Sequence, residues 1–360
     1  MASMTFEELQ GIVSVCLDEI VSLKEENARL KQQIHDLVQG TQQTLSILTQ
    51  SNQRNELCLQ LINRSADNIF YEIADERKQV YPIPHFYDIP YTINEIVSHH
   101  RSLARFGDGE FSIMLGFCRQ KFQEYSPLLQ KRLIEILHSQ NDDLLIGIAD
   151  NYGTLNNYTD QSKQEIRLYM TASMREQHSR LLQKDRTYHN AYISRPYAMY
   201  ADNATEAPMQ RFHALKKIWE KRDVIVIEGS LTRLGVGNDL FDNVGNMVRI
   251  EAPAVNAFSR YEAVLHAAKA EAANHANKHN VLFIIALGAT ACLLASDLCS
   301  EGYQALDLGH IDLEYEWFLN GAGHRCTVPT KYNNEYEGGD KVEDIQDKTY
   351  FKQIVAKIDN

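Results

Sequence analysis

Apolar side chains recur with a seven-residue period along the first part of the chain. One register assigns Phe6, Val13, Ile20, Asn27, Ile34, Thr41 and Leu48 to position a, and Leu9, Cys16, Leu23, Leu30, Leu37 and Thr44 to position d. Branched residues at a with leucine at d favour a parallel two-stranded coiled coil, and a single asparagine at a, here Asn27, specifies register and the two-stranded state. The seam weakens after Leu37, where glycine and threonine appear.

Charged residues flank this seam with complementary signs. Glu19 at position g faces Lys24 at position e of a partner helix, and Glu26 faces Lys31 in the same way. Pairs of this kind set the choice of partner and the orientation of a coiled coil. The alternative is a single amphipathic helix that packs on the rest of the chain, and self-pairing and pairing with another chain both remain open.

The pattern divides the chain into four parts. We predict a parallel dimeric coiled coil over residues 1–50, with homodimer contacts through residues 6–50. A helical connector over 51–77 leads to the main domain over 78–335, and a charged tail with a short helix occupies 336–360.

Apolar strands alternate with helices in the main domain. Helical spacing predicts helices over 126–139, 161–182, 208–220, 258–276 and 289–300. Short apolar runs predict strands over 103–106, 143–149, 191–193, 223–227, 247–250, 281–287 and 304–308. This alternation indicates an α/β fold, with a Rossmann-like, mostly parallel sheet and helices on both faces.

Composition and charge narrow the possible partners and the compartment. The chain of 360 residues carries a formal charge of −12, which argues against nucleic acid or an anionic membrane surface as a general partner. Six cysteines form no Cys-x-x-Cys pair, and neither a signal segment nor a transmembrane segment is evident. We therefore expect a reduced, cytoplasmic protein whose association with a membrane, where it occurs, runs through partner proteins.

The strongest candidate for chemistry is the turn that follows the first predicted strand. Arg105 and Phe106 lead into Gly107-Asp108-Gly109-Glu110. The glycines permit a tight turn, which sets the carboxylates of Asp108 and Glu110 at the end of a strand. Two oxygen ligands so placed suit a hard cation such as Mg²⁺ or Mn²⁺. The alternative is a turn of purely local origin, because aspartate and glutamate are common at helix starts.

Three further strand ends carry glycine and polar residues. The loop after the 223–227 strand offers backbone amides and the guanidinium of Arg233, both suited to an anion. Gly288 and Thr290 open a helix, whose free amides either bind phosphate or are capped by Thr290. His310 could ligate Mn²⁺, and Asp312 could either support a metal ligand from outside the coordination shell or act as a general base. Strand ends of a parallel sheet gather at one edge, so we expect these groups to meet.

Several motifs in the same order resemble the GT-D fold glycosyltransferases, a family of bacterial domains with an Asp-x-Glu motif. They are Arg105 to Phe111, Ser194 to Tyr197, Ser230 to Asp242, Pro253 to Phe258, Ala286 to Thr290, and Gly309 to Asp312 with Glu314 to Trp317. The resemblance covers roughly 78–335. Ala289 stands where the family pattern has proline.

The resemblance implies a metal-dependent enzyme that moves a hexose, with glucose first, from a UDP-sugar to a hydroxyl of a growing glycan on a glycoprotein or cell-surface polysaccharide. It implies Mn²⁺ or Mg²⁺ as cofactor, with Asp108, Glu110 and His310 as metal ligands and Asp312 as a further catalytic residue. The expected nucleotide-binding residues are Arg105, Gly107, Gly109, Ser194, Arg195, Ser230, Arg233, Gly235, Gly237, Asn238, Asp239, Gly288 and Thr290. Two other functions stay open: a non-catalytic coiled-coil partner of other glycosyltransferases, and another nucleotide-dependent Rossmann enzyme.

Overall fold

The computed structural model describes residues 6–72, 83–117 and 122–359. The chain divides into two compact units, Met1–Ser65 and Ala66–Asn360. Among the described residues, no helix combines the length and apolar character that a membrane crossing requires.

The first unit is helical. Helix α1 runs from Phe6 to Glu72 as one element of 67 residues. Every described side chain from Phe6 to Ile62 is exposed, including the apolar residues of the heptad seam from Val13 to Leu48. The seam is therefore an unpartnered apolar stripe on the single chain.

The helix continues past residue 50, where the sequence suggested a boundary between the coiled coil and a helical connector. α1 continues through Gly40 and on into the expected connector 51–77, of which residues 73–77 lie outside the described part of the chain. The hydroxyl of Thr44 donates to the carbonyl of Gly40 at 2.8 Å, so this polar side chain is satisfied within the helix itself.

The second unit is built on a nine-stranded sheet with the order β1-β4-β3-β2-β8-β7-β5-β6-β9, in which each described pairing is parallel. The strands are β1 His85–Phe86, β2 Ser102–Phe106, β3 Leu144–Ile148, β4 Thr187–Asn190, β5 Asp223–Gly229, β6 Asn246–Ala252, β7 Val281–Ala286, β8 Gln304–Asp307 and β9 Ile354–Lys357. The helices are α2 Ile89–His99, α3 Asp108–Met114, α4 Pro127–Leu137, α5 Asp160–Tyr169, α6 Ala172–Leu181, α7 Ala207–Lys216, α8 Tyr261–Ala272, α9 Thr290–Ser300, α10 Ile311–Leu319 and α11 Lys348–Gln353.

The sheet is covered on both faces, as the continuous apolar runs predicted. Along β5, Ile225 and Ile227 pack in one hydrophobic cluster, whereas Val224 and Val226 pack in the other. Successive strand residues point to opposite faces, so two separate clusters require helices on each side. The prediction of a mostly parallel, Rossmann-like α/β fold is confirmed.

Some predicted elements have different bounds. The helix expected over 161–182 is two helices, because α5 ends at Tyr169 and the hydroxyl of Thr171 accepts from the amide of Met174 to begin α6. The strand expected over 191–193 is a 3₁₀ turn, Ala191–Ser194, that follows β4.

The charged tail contains more structure than the sequence suggested. It holds α11, in agreement with the expected short helix, and also β9, which pairs in parallel with β6. The sheet is thus completed by residues close to the C-terminal end of the chain.

Candidate active site

A crevice opens at the centre of the sheet, where β2 and β8 lie side by side. The helix after β2, α3, packs through Phe111 into one hydrophobic cluster, whereas α10 after β8 packs through Ile311 into the other. Neighbouring strands whose following helices leave to opposite faces create a crevice beyond their carboxyl ends. Here the crevice is a cavity of about 770 Å³, within the size range of small-molecule sites.

The Gly-Asp-Gly-Glu turn lies in the wall of this cavity. Gly107 precedes α3, and Asp108 and Glu110 stand in its first turn, with both carboxylates lining the cavity. One oxygen of Glu110, Oε2, accepts the amide hydrogen of Gly107 at 2.8 Å. The turn therefore has the local capping role that the alternative interpretation gave it, and it also presents two carboxylates to the cavity.

The carboxyl of Glu110 is easier to protonate than an ordinary glutamate. Desolvation in the cavity wall, followed by the nearby carboxylate of Asp307, raises the pKa of Glu110 to about 7. Both effects disfavour negative charge, so a cation beside Glu110 would be favourable.

Arg105 lines the cavity, but its guanidinium is already engaged. It donates to the carbonyl and the carboxylate of Asp307 at 2.6 Å each, and to the hydroxyl of Ser194 at 2.6 Å. Ser194 itself is fully buried. Gly309 has φ of +40°, and a side chain there would collide with the guanidinium of Arg105. These contacts make Arg105 and Ser194 a brace between β2, β8 and the 3₁₀ turn, rather than a free pair of ligands.

A second ionic cluster joins Arg195 to a segment that the sequence pattern did not single out. Nη2 and Nη1 of Arg195 donate to the two oxygens of Glu335 at 2.5 and 3.0 Å. Arg325 bridges Glu335 at 3.5 Å and Glu165 at 3.3 Å. Burial alone would raise the pKa of Glu335, but Arg195, His310 and Arg325 together hold it well below its usual range.

His310 stands beside this cluster in the cavity wall. Its Nε2 lies 3.7 Å from Glu335, and its Nδ1 lies 3.5 Å from a guanidinium nitrogen of Arg195. Burial lowers the pKa of His310 to about 4, so the ring is neutral at pH 7, with Nδ1 placed to accept from the guanidinium of Arg195 and Nε2 facing the carboxylate of Glu335. Glu335 and Arg325 were missed because they lie in an irregular segment, where no periodic pattern identifies them.

The three predicted metal ligands are not preassembled. Within the described ranges, no group of three histidine, cysteine, aspartate or glutamate side chains has the geometry to hold a metal ion. Mg²⁺-type cations are usually held by one or two carboxylates together with substrate phosphates, rather than by an all-protein cage. Asp108 and Glu110 in one cavity fit a cation of that kind, with His310 outside a preformed ligand set.

The loop after β5 directs its arginine, Arg233, into the protein rather than into the cavity. Arg233 is buried, and its Nη1 donates to the carbonyls of Thr330 at 2.9 Å and Glu343 at 2.6 Å, away from the cavity. Ser230, Gly237 and Asp239 are exposed and do not line the cavity. The guanidinium of Arg233 is therefore used inside the protein, whereas Gly229, Thr232 and Leu234 of the same loop line the cavity. The phosphate role of the loop stays a prediction, and it would depend on backbone amides.

Asp312 holds another part of this loop, at Gly235 and Asn238. Its carboxylate accepts from the amide of Gly235 at 2.9 Å, from Asn238 at 2.8 Å and from the ammonium of Lys331 at 2.5 Å. Lys331, which is 1% exposed, also pairs with Glu316 at 2.9 Å. These three donors give Asp312 a bracing role, but a carboxylate has about four acceptor sites and Asp312 also lines the cavity, so its catalytic role stays a prediction.

The start of α9 is the part of the wall best suited to an anion. Gly288 and Ala289 line the cavity, and Gly288 has φ of +54° with Phe122 where a side chain would project. Thr290 does not cap the helix, and its buried hydroxyl has no hydrogen-bond partner among the described residues. The first amides of α9 therefore carry no side-chain cap, which is the arrangement that binds phosphate at helix N-termini.

Comparisons with known proteins agree with this geometry. The family model described as "Glycosyltransferase GT-D fold" matches residues 103–336. The chain is 35% identical over 273 residues to "Probable glycosyl transferase Gly" of Streptococcus gordonii, covering 75% of this chain and 38% of that protein. It is 36% identical over 270 residues to "Glycosyltransferase GlyD" of Streptococcus pneumoniae serotype 4, covering 75% and 32%. The chain thus spans about a third of the length of these relatives.

Solved structures are similar over about three quarters of the chain. "A New Glycosyltransferase (DUF1792) from Streptococcus sanguinis" aligns with a TM-score of 0.70 at 33% identity, covering 77% of this chain and 100% of that one. "The highly conserved domain of unknown function 1792 has a distinct glycosyltransferase fold" aligns with a TM-score of 0.71 at 32% identity, covering 77% and 96%.

Proposed function

Because the chain belongs to the GT-D fold glycosyltransferase family, we propose that it transfers a hexose, with glucose the first candidate, from a UDP-sugar to a hydroxyl of a growing glycan. The glycan would be carried by a glycoprotein or a cell-surface polysaccharide, and the reaction would use Mn²⁺ or Mg²⁺. That the protein is a glycosyltransferase follows from its family; the donor, the metal and the acceptor are the proposal.

One observation carries the proposal. A single cavity contains both carboxylates of the turn, Asp108 and Glu110, and the uncapped start of α9 at Gly288 and Ala289. A diphosphate needs partial positive charge from amides on one side and a cation on the other. An Asp-x-Glu turn facing a free helix start in one crevice meets both needs.

Each group has a defined task in this arrangement. The amides at the start of α9 would bind the diphosphate, and Asp108 and Glu110 would hold the cation against it. The bound cation supplies Lewis-acid stabilisation of the charge that develops on the leaving diphosphate. The neutral ring of His310 lies in the same wall, and it would become a further ligand by exchanging its contact with Arg195 for the cation once the donor is bound.

The rest of the cavity fits an uncharged sugar and a base. Five aromatic rings line it: Phe122, Tyr169, Tyr192, Tyr332 and Tyr336. Aromatic faces stack on bases and on the apolar faces of sugars, while their hydroxyls supply hydrogen bonds. Arg195 is neutralised by Glu335, so it would stabilise the wall beside the donor without adding net charge.

The decisive experiment measures UDP release from a panel of nucleotide-sugars, in Mn²⁺ and in EDTA. UDP-sugars in Mn²⁺ should support turnover, and Asp108→Asn with Glu110→Gln should lower the rate by about 10²–10³, as for other electrostatic stabilisers. The matched control, Asp160→Asn with Glu176→Gln, removes two exposed carboxylates outside the cavity and should leave the rate unchanged. Turnover that persists in EDTA, or in the Asp108/Glu110 variant, would refute the metal–diphosphate assignment.

A further inference from the structure

We propose that α1 pairs in parallel with α1 of a second copy of this chain, and that the seam extends through a register shift as far as Ile62. The proposal rests on an exposed apolar stripe that runs along a continuous helix. From Val13 to Leu37 the seam residues other than Cys16 and Asn27 are valine, isoleucine or leucine, each about half exposed or more in the single chain. Apolar surface on this scale is characteristic of an interface rather than a solvated face.

The charges beside the stripe identify the occupant as a second copy. Glu19, Lys24, Glu26 and Lys31 are exposed and have no ion-pair partner among the residues that the structure describes. In a parallel, in-register pair each glutamate at g meets a lysine at e of the other copy. In an antiparallel pair, g would face g and e would face e, so like charges would meet. The helix is therefore complementary to itself in the parallel orientation.

The seam does not end where the first heptad register weakens. In that register the d positions after Leu37 would be Thr44, Ser51 and Cys58, all of them polar or small. A shift by four residues instead continues the 3–4 spacing through Val38, Thr41, Leu45, Leu48, Asn52, Asn55, Leu59 and Ile62. An insertion of four residues is a stutter, which a coiled coil absorbs by local unwinding.

The structure of α1 permits this continuation. The helix is unbroken across the shift, and the leucines and isoleucine of the shifted stripe are at least 55% exposed. The hydroxyl of Thr41 donates to the carbonyl of Leu37 at 2.5 Å, so it is satisfied within its own helix and can lie in an apolar seam. Asn52 and Asn55 then fall in the seam, where polar pairs favour one register over others at some cost in stability.

The first test is the mass of the full chain in solution by sedimentation velocity. We expect twice the mass of one chain at micromolar concentration, and a monomer for Leu23→Lys with Leu30→Lys. The matched control, Val21→Lys with Ala28→Lys, adds the same charges outside the seam and should remain dimeric. A monomeric parent, or a parent larger than a dimer, would overturn the proposal.

Folding of the variants can be followed separately from pairing. Trp219 and Trp317 are the tryptophans of the chain, and both are buried in the second unit. Their fluorescence during unfolding should be the same in the Leu23/Leu30 variant and in the parent. A changed transition would attribute the loss of the dimer to misfolding and would count against a seam confined to α1.

The orientation is tested by exchanging charges between two chains. One chain carries Glu19→Lys and Glu26→Lys, and the other carries Lys24→Glu and Lys31→Glu. Each alone places like charges opposite one another and should pair at least tenfold more weakly, whereas a mixture should form heterodimers. Equal pairing of the parent and of each variant chain alone would contradict the parallel register, because an antiparallel parent would already place like charges opposite one another.

The register shift has its own pair of variants. Leu45→Lys with Leu59→Lys places charges in the seam after the shift, whereas Ile47→Lys with Leu61→Lys places them on the outer face. The first pair should weaken the dimer by at least tenfold and the second by less than twofold. Without the shift, both pairs would flank the seam at e and g, so equal effects would refute the stutter.

Discussion

At the scale of single residues, His178 shows how the wall behind the Asp-x-Glu turn is held. The ring is 2% exposed, stacks on Phe111 with centroids 3.8 Å apart, and contacts the hydroxyls of Tyr152 at 2.7 Å and Tyr169 at 3.0 Å. The hydroxyl of Tyr169 also donates to the carbonyl of Asp108 at 3.4 Å. A buried histidine thus connects the core to the turn that carries the proposed cation ligands.

This histidine predicts a pH dependence of stability. Burial lowers the pKa of His178 to about 3, whereas in the unfolded chain it is about 6.5. Below about pH 6.5 this histidine is protonated in the unfolded chain but stays neutral in the folded chain. The free energy of unfolding therefore falls as the pH drops toward 3, by up to about 1.4 kcal/mol per pH unit. Urea unfolding at a series of pH values should show a shallower slope for His178→Gln than for the parent. The exposed control His99→Gln should run parallel to the parent, and a parallel curve for His178→Gln would contradict the prediction.

A second prediction tests whether Asp312 has a structural role or acts as the catalytic base. Lys331→Met leaves Asp312 and Glu316 buried without their cation, which should destabilise the protein by about 3–5 kcal/mol. Adding Asp312→Asn should recover part of that loss, because it removes one of the stranded charges. The measurement is chemical unfolding followed by tryptophan fluorescence. If Asp312→Asn alone kept the stability of the parent while turnover fell by orders of magnitude, the result would contradict a purely structural role and identify Asp312 as the catalytic base.

For residues at the carboxyl ends of the strands, the sequence predicted a role only where the backbone conformation alone determines it. The glycines and carboxylates at 107–110 mark a turn after a strand, and their placement in the cavity follows from the parallel topology. The sequence does not show where a long side chain points. Arg233 turns to carbonyls of Thr330 and Glu343, about a hundred residues later in the chain, and Glu335 reaches Arg195 from 140 residues away.

At the scale of elements, a buried ion pair joins β5 to β6. Nη1 of Arg249 lies 2.7 Å from Glu228, and both side chains are at most 3% exposed. Glu228 also accepts from the amide of Leu234 at 2.7 Å, and Arg249 donates to the carbonyl of the same residue at 2.8 Å. The pair therefore fixes the start of the loop after β5, and the ring of Tyr350 in α11 lies 5.0 Å from the guanidinium.

Removal of one partner should cost far more than removal of both. Arg249→Met leaves the carboxylate of Glu228 buried and unpaired, at a cost of about 3–5 kcal/mol, whereas Glu228→Met with Arg249→Met should regain much of it. A double-mutant cycle by urea unfolding measures the coupling. The exposed pair Arg180 and Glu176 serves as the control, where Arg180→Met should cost less than about 1 kcal/mol. Equal costs for the buried and exposed arginines would contradict the assignment.

The elements that the sequence predicted well are those with long apolar runs. β5 and β7 are buried on both faces along their length. Their sequences are therefore apolar at successive positions, whichever face each side chain points to. β9 was missed because it is a four-residue edge strand with alternating half-exposed positions, and its partner β6 lies about a hundred residues earlier. The break between α5 and α6 depends on the Thr171 cap, a signal that periodicity over 161–182 conceals.

At the scale of the whole molecule, the cavity and the helical unit are formed by different parts of the chain. The cavity is lined by residues between Arg105 and Tyr336. The described side chains from Phe6 to Ile62 are exposed, and they belong to the first unit. Chemistry and pairing should therefore respond to different changes in the chain.

Deletion of residues 1–65 tests this separation. The shortened protein should be monomeric, unfold with a midpoint within about 2 °C of the parent by tryptophan fluorescence, and release UDP at a rate per chain within about twofold. The full-length Leu23→Lys with Leu30→Lys variant is the matched control, because it lacks the seam but keeps the helix. If both monomers lose turnover while their fluorescence transitions stay intact, the second copy contributes to the active site. If only the deletion loses turnover, the helix itself is required, and its function extends beyond joining two enzymes.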